Sequence, residues 1–210
     1  MNFDLSKMSP RDSHHLMVDV VSPRPIAWVS TIDKNGKSDI APFSEYTFMS
    51  ALPPVVGVGI GTRRNGVKKH TLLNIEATHE FVINIVNEQL AAAMNATSFQ
   101  FPPEVNKFEE VRLTPIKSEL VAPPCIQESP VSLECRVLQI LRFGKEPMVN
   151  SFVVGEVLLV HVKDEVWEDS HINPFKVNAI GRLGGGTDLY CRTRETFLME
   201  SPKYQSDTDR

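Results

Sequence analysis

The sequence has few cysteines and no long apolar run. Its three cysteines, Cys125, Cys135 and Cys191, are odd in number and widely spaced, without a C-x-x-C pair for metal binding or thiol exchange. We expect them to be reduced, structural thiols. Residues 1–10 are acidic and polar where a secretory signal would be basic and then apolar, and no apolar segment reaches membrane-spanning length. The sequence therefore predicts a cytoplasmic protein with no membrane partner.

Basic residues are also too few for a nucleic-acid-binding protein. The 22 lysines and arginines are outnumbered by 26 aspartates and glutamates, which gives a formal net charge of −4. A duplex needs many phosphate contacts at physiological salt, and no basic block in this chain is long enough to follow its backbone. The densest basic stretch, residues 63–69, suits the single phosphate of a small anionic ligand. We expect no nucleic-acid partner.

Several motifs of catalysis and nucleotide binding are missing. Residues 61–69 have the glycine spacing of a phosphate-binding P-loop, but Val67 stands where lysine is required. Gly57 and Gly59 would need a glycine at the position of Thr62 to form a dinucleotide fingerprint. There is no G-x-S-x-G elbow and no H-E-x-x-H pair, so we interpret the six histidines as ordinary surface or loop residues. The sequence predicts no metal site and no hydrolytic machinery.

The first half of the chain contains a predicted hairpin with an irregular second strand. Residues 26–32 are β-branched and aromatic, and they lead into D-K-N-G at 33–36, a turn whose Asn-Gly pair tolerates positive φ. Residues 38–48 predict the returning strand, interrupted at Pro42. Proline cannot donate a ladder hydrogen bond, so an edge or a bulge is expected there. Such a strand exposes backbone amides.

The rest of the chain is also rich in β-structure. A strand at 55–60 carries Gly57 and Gly59, which leave one face bare for a ligand or another strand. We predict a mainly β fold with short helices, one domain over residues 1–200 and a polar, flexible tail over 201–210. The other predicted elements are helices at 71–77 and 88–96, a strand at 81–86, and a long hairpin with arms at 131–143 and 151–162.

A fold that exposes amides beside a basic turn, without an acid, base or nucleophile set, suits a protein whose cofactor performs the chemistry. Seven motifs in this chain, taken together and in order, resemble those of the flavin reductase-like, FMN-binding split-barrel family. Its members include flavoredoxin and the flavin-reducing components of nitrilotriacetate-type two-component monooxygenases. The motifs are S-P-R-P-I-A-W-V-S-T-I-D at 22–33, A-P-F-S at 41–44, S-A-L-P-P at 50–54, K-K-H-T-L-L-N-I at 68–75, E-F-V-I-N at 80–84, E-S-P-V-S-L-E-C at 128–135 and G-R-L-G-G at 181–185.

This resemblance implies a fold, an assembly and a reaction. The expected fold is a Greek-key-like, six-stranded antiparallel split barrel that forms a homodimer with FMN near the subunit interface. Reductases of the family use NADH or NADPH to reduce the flavin and pass it to a partner, such as a flavin-dependent monooxygenase. Other members are electron carriers that keep their flavin bound. A third possibility is a related split barrel that binds pyridoxal phosphate, haem or another flavin.

The resemblance also implies site residues. The hydroxyls of Ser30 and Thr31 would meet the ribityl chain or phosphate, and the segment Ala41, Pro42, Phe43 and Ser44 would lie along the isoalloxazine ring. Lys69 and Thr71 would bind the phosphate at a helix start, although the family usually has Lys-Asp-Thr where this chain has His70 in the middle. Residues 181–186 and Tyr190 would form a loop that covers the site or the interface. Further candidates are Arg24, Trp28, Arg63 and Arg64.

Overall fold

The computed structural model describes residues 1–63, 65–102, 104–184 and 187–202. The helices are α1 (Pro10–Val20), α2 (His70–Thr78), α3 (Ala91–Thr97), α4 (Lys107–Glu110) and α5 (Pro174–Val177), with 3-10 turns at Leu5–Lys7, Glu88–Leu90 and Asp164–Val166. The strands are β1 (Arg24–Pro25), β2 (Ala27–Ile32), β3 (Ser38–Phe43), β4 (Tyr46–Ala51), β5 (Pro54–Gly61), β6 (Glu80–Ile85), β7 (Pro115–Ile116), β8 (Cys125–Ile126), β9 (Val131–Lys145), β10 (Met148–Val162), β11 (Trp167–Glu168), β12 (His171–Ile172), β13 (Ile180–Arg182) and β14 (Tyr190–Arg192).

One large antiparallel sheet organises the molecule. Its strand order is β3-β2-β6-β9-β10-β5-β4, and a smaller sheet has the order β1-β13-β14. The mainly β class is therefore confirmed. The large sheet has seven strands rather than six, and within the described part of the chain its order ends at β3 and β4 instead of closing into a ring.

The long hairpin predicted in the second half of the chain is confirmed as β9 and β10. The two strands pair from Val131 with Val162 to Lys145 with Met148, so the connecting turn is shorter than predicted. Gly144 takes a φ of +92° beside this turn, a conformation that a glycine adopts without steric cost. The hairpin joins the two halves of the sheet, because β9 also pairs with β6 and β10 with β5.

The predicted strand over residues 38–48 is two strands. Pro42 lies inside β3, opposite Trp28, and β3 is at the end of the sheet, where its missing N–H costs no ladder bond. The prediction of an edge at Pro42 is thus confirmed, but the interruption falls at Ser44 and Glu45. There the chain turns away from β2, and β4 pairs with β5 instead.

Apolar side chains pack on both faces of the sheet. In β2, Ala27 and Val29 belong to one buried cluster, whereas Trp28 belongs to another, as the alternation of a strand requires. The first cluster includes Phe43 and the inner face of α2, and the second holds α3 and α4 against β3. The two helices that border β3 are therefore fixed by core packing.

In the described residues, no helix is long and apolar enough to cross a lipid bilayer.

The bare faces of the glycines on β5 are filled by protein side chains. A Cβ at Gly57 would collide with the Phe152 ring, and one at Gly59 would collide with the Glu45 carboxylate. The sequence left open a ligand or another strand at this face, and side chains of β10 and of the β3–β4 connection occupy it instead. Glu45 is held there on the β3–β4 connection by Asn150, whose Nδ2 donates to its Oε2 over 2.5 Å.

Gly155 on β10 offers a test of this close packing. A Cβ at this position would lie 2.5 Å from Cζ of Phe81, whose side chain is fully buried. We expect Gly155→Ala to lower the free energy of unfolding by about 1–3 kcal/mol, because the Phe81 ring has no room to retreat. Urea denaturation measures the change. Gly61→Ala is the matched control, since its Cβ would meet no heavy atom within 4 Å; equal stability of the two variants would contradict the packing.

A buried carboxylate ties an irregular segment to the sheet. Glu134 on β9 is fully buried; its Oε1 accepts from the amide of Glu119 at 2.7 Å, and its Oε2 from those of Leu120 and Val121 at 2.6 and 3.1 Å. Nε2 of His161 lies 2.5 Å from Oε1. Burial by itself would raise the pKa of Glu134, but the hydrogen bonds from Glu119, His161 and Leu120 outweigh it, so the pKa is lowered. His161 is therefore a packing partner, not the ordinary surface residue predicted.

Candidate functional site

A cleft lies along the outer edge of β3, where Pro42 and Phe43 border three adjoining cavities. The central lobe has a volume of about 160 Å³ and is enclosed by β3, the start of α2, the end of α3 and the loop that follows α3. A second lobe of about 250 Å³ lies toward Arg182 and Tyr190, and a third of about 410 Å³ lies toward Glu45 and Asn150. The β3 edge is thus the wall that the three lobes share.

The central lobe carries more positive than negative charge. Lys69, Arg63 and Lys107 line it, together with Asp39. Lys107 is already neutralised, because its Nζ lies 2.8 Å from Oδ1 of Asp39 and donates to the Ile40 carbonyl at 3.0 Å. Within the described residues, neither Lys69 nor Arg63 forms a salt bridge. These two cations are available to an anionic ligand.

Lys69 is held on the cleft wall by its surroundings. Its Nζ lies 5.0 Å from the centre of the Phe43 ring, a cation–π contact. Burial lowers the pKa of Lys69, and the Glu45 carboxylate acts in the opposite direction. An ammonium group with little water around it gains strongly from an anion placed beside it. Lys69 is also the residue before α2, whose first backbone N–H groups have no partner within the helix and favour an anion.

Thr71 completes this corner of the lobe. Its hydroxyl donates to Oδ2 of Asp39 over 3.4 Å, and its side chain is buried at the second position of α2. His70 stands at the first position of α2 and lines the same lobe. The imidazole at this place, where the family usually has aspartate, leaves the corner with one negative charge fewer.

Seven of the predicted site residues meet in the cleft. Ala41, Pro42, Phe43, Arg63, Lys69 and Thr71 line the central lobe, and Ser44 lines both neighbouring lobes. Arg182 and Tyr190, from the predicted covering loop, line the second lobe, with the guanidinium of Arg182 4.7 Å from the centre of the Tyr190 ring. Arg64, Gly185, Gly186 and residues 203–210 of the predicted tail lie outside the described residues.

Ser30 and Thr31 are not on the cleft surface, which corrects the expectation that their hydroxyls face a ligand. Both side chains are fully buried. The Ser30 hydroxyl donates to the Pro124 carbonyl at 2.5 Å, and Oγ1 of Thr31 accepts from Nδ2 of Asn74 at 3.0 Å. These side chains are internal because the segment at Pro124 lies over Ser30 and α2 packs over Thr31 through Asn74.

Trp28 and Arg24 also have structural partners. The indole of Trp28 is fully buried and donates to Oγ1 of Thr97 at 2.9 Å, so it is core and does not stack on a ligand. Arg24 is buried beneath the end of α1 and donates to the Val21 carbonyl at 2.9 Å, while its Nε reaches Oγ of Ser44 at 3.4 Å. Arg24 therefore fixes the N-terminal segment to the rest of the fold.

Sequence reasoning missed three parts of the cleft. Lys107 reaches β3 from α4, and no local pattern indicates that a lysine would be buried there. Asn150 lies on β10, more than 100 positions away from its partner Glu45. Phe99 and Phe101 form the outer wall; their F-x-F spacing in a polar loop was the one signal that could have found them.

Cys125, Glu134 and His161 form a cluster outside the cleft, with one ligand-type atom of each within 4.8 Å of the others. The hydrogen bonds of the Glu134 carboxylate account for its burial without a metal ion. All three cysteines are free thiols.

Comparison with known proteins agrees with this architecture. The model of the protein family named flavin reductase like domain matches residues 21–176 of this chain. The chain belongs to the flavin reductase-like family. An uncharacterized protein of Aquifex aeolicus is 38% identical over 187 residues, which cover 88% of this chain and 93% of that protein.

Two solved structures have the same fold. Nitrilotriacetate monooxygenase component B from Bacillus cereus superimposes with a TM-score of 0.88 at 28% identity, covering 95% of this chain and 98% of its own. A protein with a split barrel domain from Shewanella frigidimarina has a TM-score of 0.79 at 23% identity, covering 97% of this chain and 100% of its own, which is a likeness of fold alone. The split-barrel fold expected from the sequence is confirmed.

Proposed function

We propose that this protein is an FMN-binding oxidoreductase that uses NADH or NADPH to reduce its flavin. The observation that carries the proposal is the junction of the β3 edge with the basic corner at Lys69 and the start of α2. An edge strand leaves every second backbone group without a sheet partner, and a helix start beside two cations suits a phosphate. A flavin nucleotide needs both features, at a distance set by its ribityl chain.

In this proposal each part of the cleft has one task. Lys69 and Arg63 hold the phosphate with charge-assisted hydrogen bonds, and the first amides of α2 contribute further donors. The backbone of residues 41–44 would hold the isoalloxazine, and its amides would stabilise negative charge on the reduced ring. Lys107 and Asp39 neutralise each other and keep the corner rigid. The flavin, when bound, supplies the capacity to accept a hydride and release electrons.

The second and third lobes leave room for a co-substrate beside the flavin ring. Ser44 lines both of them, and each is lined by further polar groups. Because hydride transfer requires stacked rings but no proton shuttle, the missing catalytic acid and base agree with this reaction. The similarity to a monooxygenase component supports a partner oxygenase that receives the reduced flavin.

Homodimer formation and a cytoplasmic location remain part of the proposal. Strand β4 at the sheet edge and the turn that follows it expose apolar side chains, with Phe48 67% and Leu52 93% accessible. An exposed apolar edge of this kind is normally covered in a stable protein, and a second copy would cover it.

An anaerobic absorbance titration tests the reductase directly. FMN-loaded protein is titrated with NADH and then with NADPH, and the visible flavin band is followed. Rapid bleaching by either nucleotide is the expected result, and the faster one identifies the co-substrate. Flavin that stays bound and oxidised would contradict the reductase and leave the electron carrier, which receives its electrons from another protein.

A further inference from the structure

The central lobe does not end at the phosphate corner. It continues past the start of α2 into an outer lobe of about 140 Å³, and the two share Asp39, His70, Phe101 and Lys107 as lining residues. The outer lobe lies on the side of the phosphate corner away from Ser44 and the proposed ring site. A ligand that ended at its phosphate would leave this space unused.

An aromatic ring stands between the two lobes. Phe101 lines both of them, and its ring packs edge-to-face against Phe99, with centres 5.2 Å apart and planes at 77°. Phe99 is 66% exposed, so its ring is accessible to a ligand. Aromatic faces beside a phosphate site are suited to stacking on a nucleobase.

The loop that carries these rings is anchored at both ends. At its start, the Phe99 amide donates to the Ala96 carbonyl of α3 at 3.1 Å, and the Phe101 amide donates to the Phe99 carbonyl at 3.1 Å. At its far end, Lys107 is fastened to β3 through Asp39 and Ile40. The segment of Phe99 and Phe101 is therefore tied to the end of α3 before a ligand arrives, which lowers the entropic cost of stacking.

The other side of the outer lobe offers hydrogen-bond acceptors. The Asp33 carboxylate lines it and is fixed by the amides of Asn35 and Lys37, each 2.8 Å from Oδ1. Ser38 and Asn74 line it as well. A carboxylate held in this way can accept hydrogen bonds from the hydroxyls of a ribose or from an exocyclic amine.

We propose that the outer lobe binds an adenosine group that is linked through phosphate to a ligand bound in the cleft. This group can belong to flavin adenine dinucleotide, which contains the FMN unit, or to the nicotinamide adenine dinucleotide. The inference rests on the proposed flavin site and extends it from a mononucleotide to a dinucleotide. It assigns to Phe101 the selection of the dinucleotide.

Calorimetric titration of four proteins tests the assignment. They are the wild type, Phe101→Ala, Phe101→Tyr, which keeps an aromatic face, and Phe175→Ala, a control at an exposed phenylalanine of α5 that lines none of the four lobes. We expect the wild type to bind FAD about tenfold more tightly than FMN, the order that stacking of one base provides. Phe101→Ala should remove most of this preference, and the other two variants should retain it.

Two further titrations separate the possible outcomes. If FAD and FMN bind the wild type equally, NAD⁺ is titrated into the FMN-loaded proteins, and an about tenfold loss in Phe101→Ala alone assigns the lobe to the nicotinamide dinucleotide. Equal binding in both titrations would overturn the inference but leave the flavin site intact. If neither flavin binds, the proposed function fails. AMP is then titrated into the apoproteins, and weaker AMP binding to Phe101→Ala than to the wild type would still assign the outer lobe to adenosine.

Discussion

Replacement of Lys69 by methionine is expected to weaken FMN binding by about tenfold to a hundredfold, the loss of one charge-assisted hydrogen bond. Methionine keeps most of the side-chain volume over the Phe43 ring, so the cleft should keep its shape. The ammonium of Lys69 is partly buried in the free protein, which lowers its pKa, and an anion beside it would compensate for the lost water. A fluorescence titration of FMN gives the dissociation constants of the variant and the wild type.

Lys117→Met is the matched control, because Lys117 is exposed and lines none of the lobes of the cleft. We expect its affinity for FMN to equal that of the wild type. The difference between the two variants should shrink as salt is added, since screening weakens the attraction between the Lys69 ammonium and the phosphate. Equal affinities of the Lys69 and Lys117 variants at low salt would remove Lys69 from the phosphate site.

The second large effect concerns stability. Glu134→Gln is expected to lower the free energy of unfolding by about 3 kcal/mol at pH 7, because three backbone amides and His161 lose the charge that they surround. In addition, the side-chain NH2 group of glutamine, itself a donor, would face backbone N–H donors that now bind a carboxylate oxygen. Chemical denaturation measures the loss, and Glu165→Gln, on an exposed side chain that is 71% accessible, is the control that should stay close to the wild type.

The pH dependence of the same pair gives an independent check. The pKa of Glu134 is lower in the folded protein than its ordinary value of 4.5. A carboxylate of this kind stabilises the fold above the unfolded-state pKa, and the contribution is lost as the pH falls through the folded-state pKa. The gap between wild type and Glu134→Gln should therefore be constant near neutral pH and narrow below about pH 4.5. A gap that does not change in acid would contradict the role of the charge.

Local patterns predicted the parts of the fold that depend on nearest neighbours. The turn at Asn35-Gly36, the long hairpin and the start of α2 follow from turn propensity, alternation and helix-start chemistry, and all are observed. Helix α1 was not predicted, although Ser9 accepts from the amide of Asp12 and Pro10 stands at its first position. Helix α1 is held by the buried side chain of Arg24, and the local sequence does not indicate this contact.

Prediction of the candidate site succeeded for residues that backbone geometry and charge define. It failed for residues whose position depends on long-range packing. The segment 41–44 and Lys69 border one cleft, which is the arrangement that a shared binding site requires. Ser30 and Thr31 were misplaced, because a hydroxyl on a strand can face either a ligand or the core, and only the partners Pro124 and Asn74 decide which. The outer aromatic wall at Phe99 and Phe101 depends on how the loop after α3 folds back to β3, which the local sequence does not encode.

A crystal structure of the protein grown with FMN is the most direct test of the flavin cleft. We predict density for the isoalloxazine along residues 41–44 and for the phosphate within hydrogen-bond distance of Lys69 and the first amides of α2. Flavin density at any other place on the chain, with the β3 edge and the Lys69 corner empty, would contradict the account.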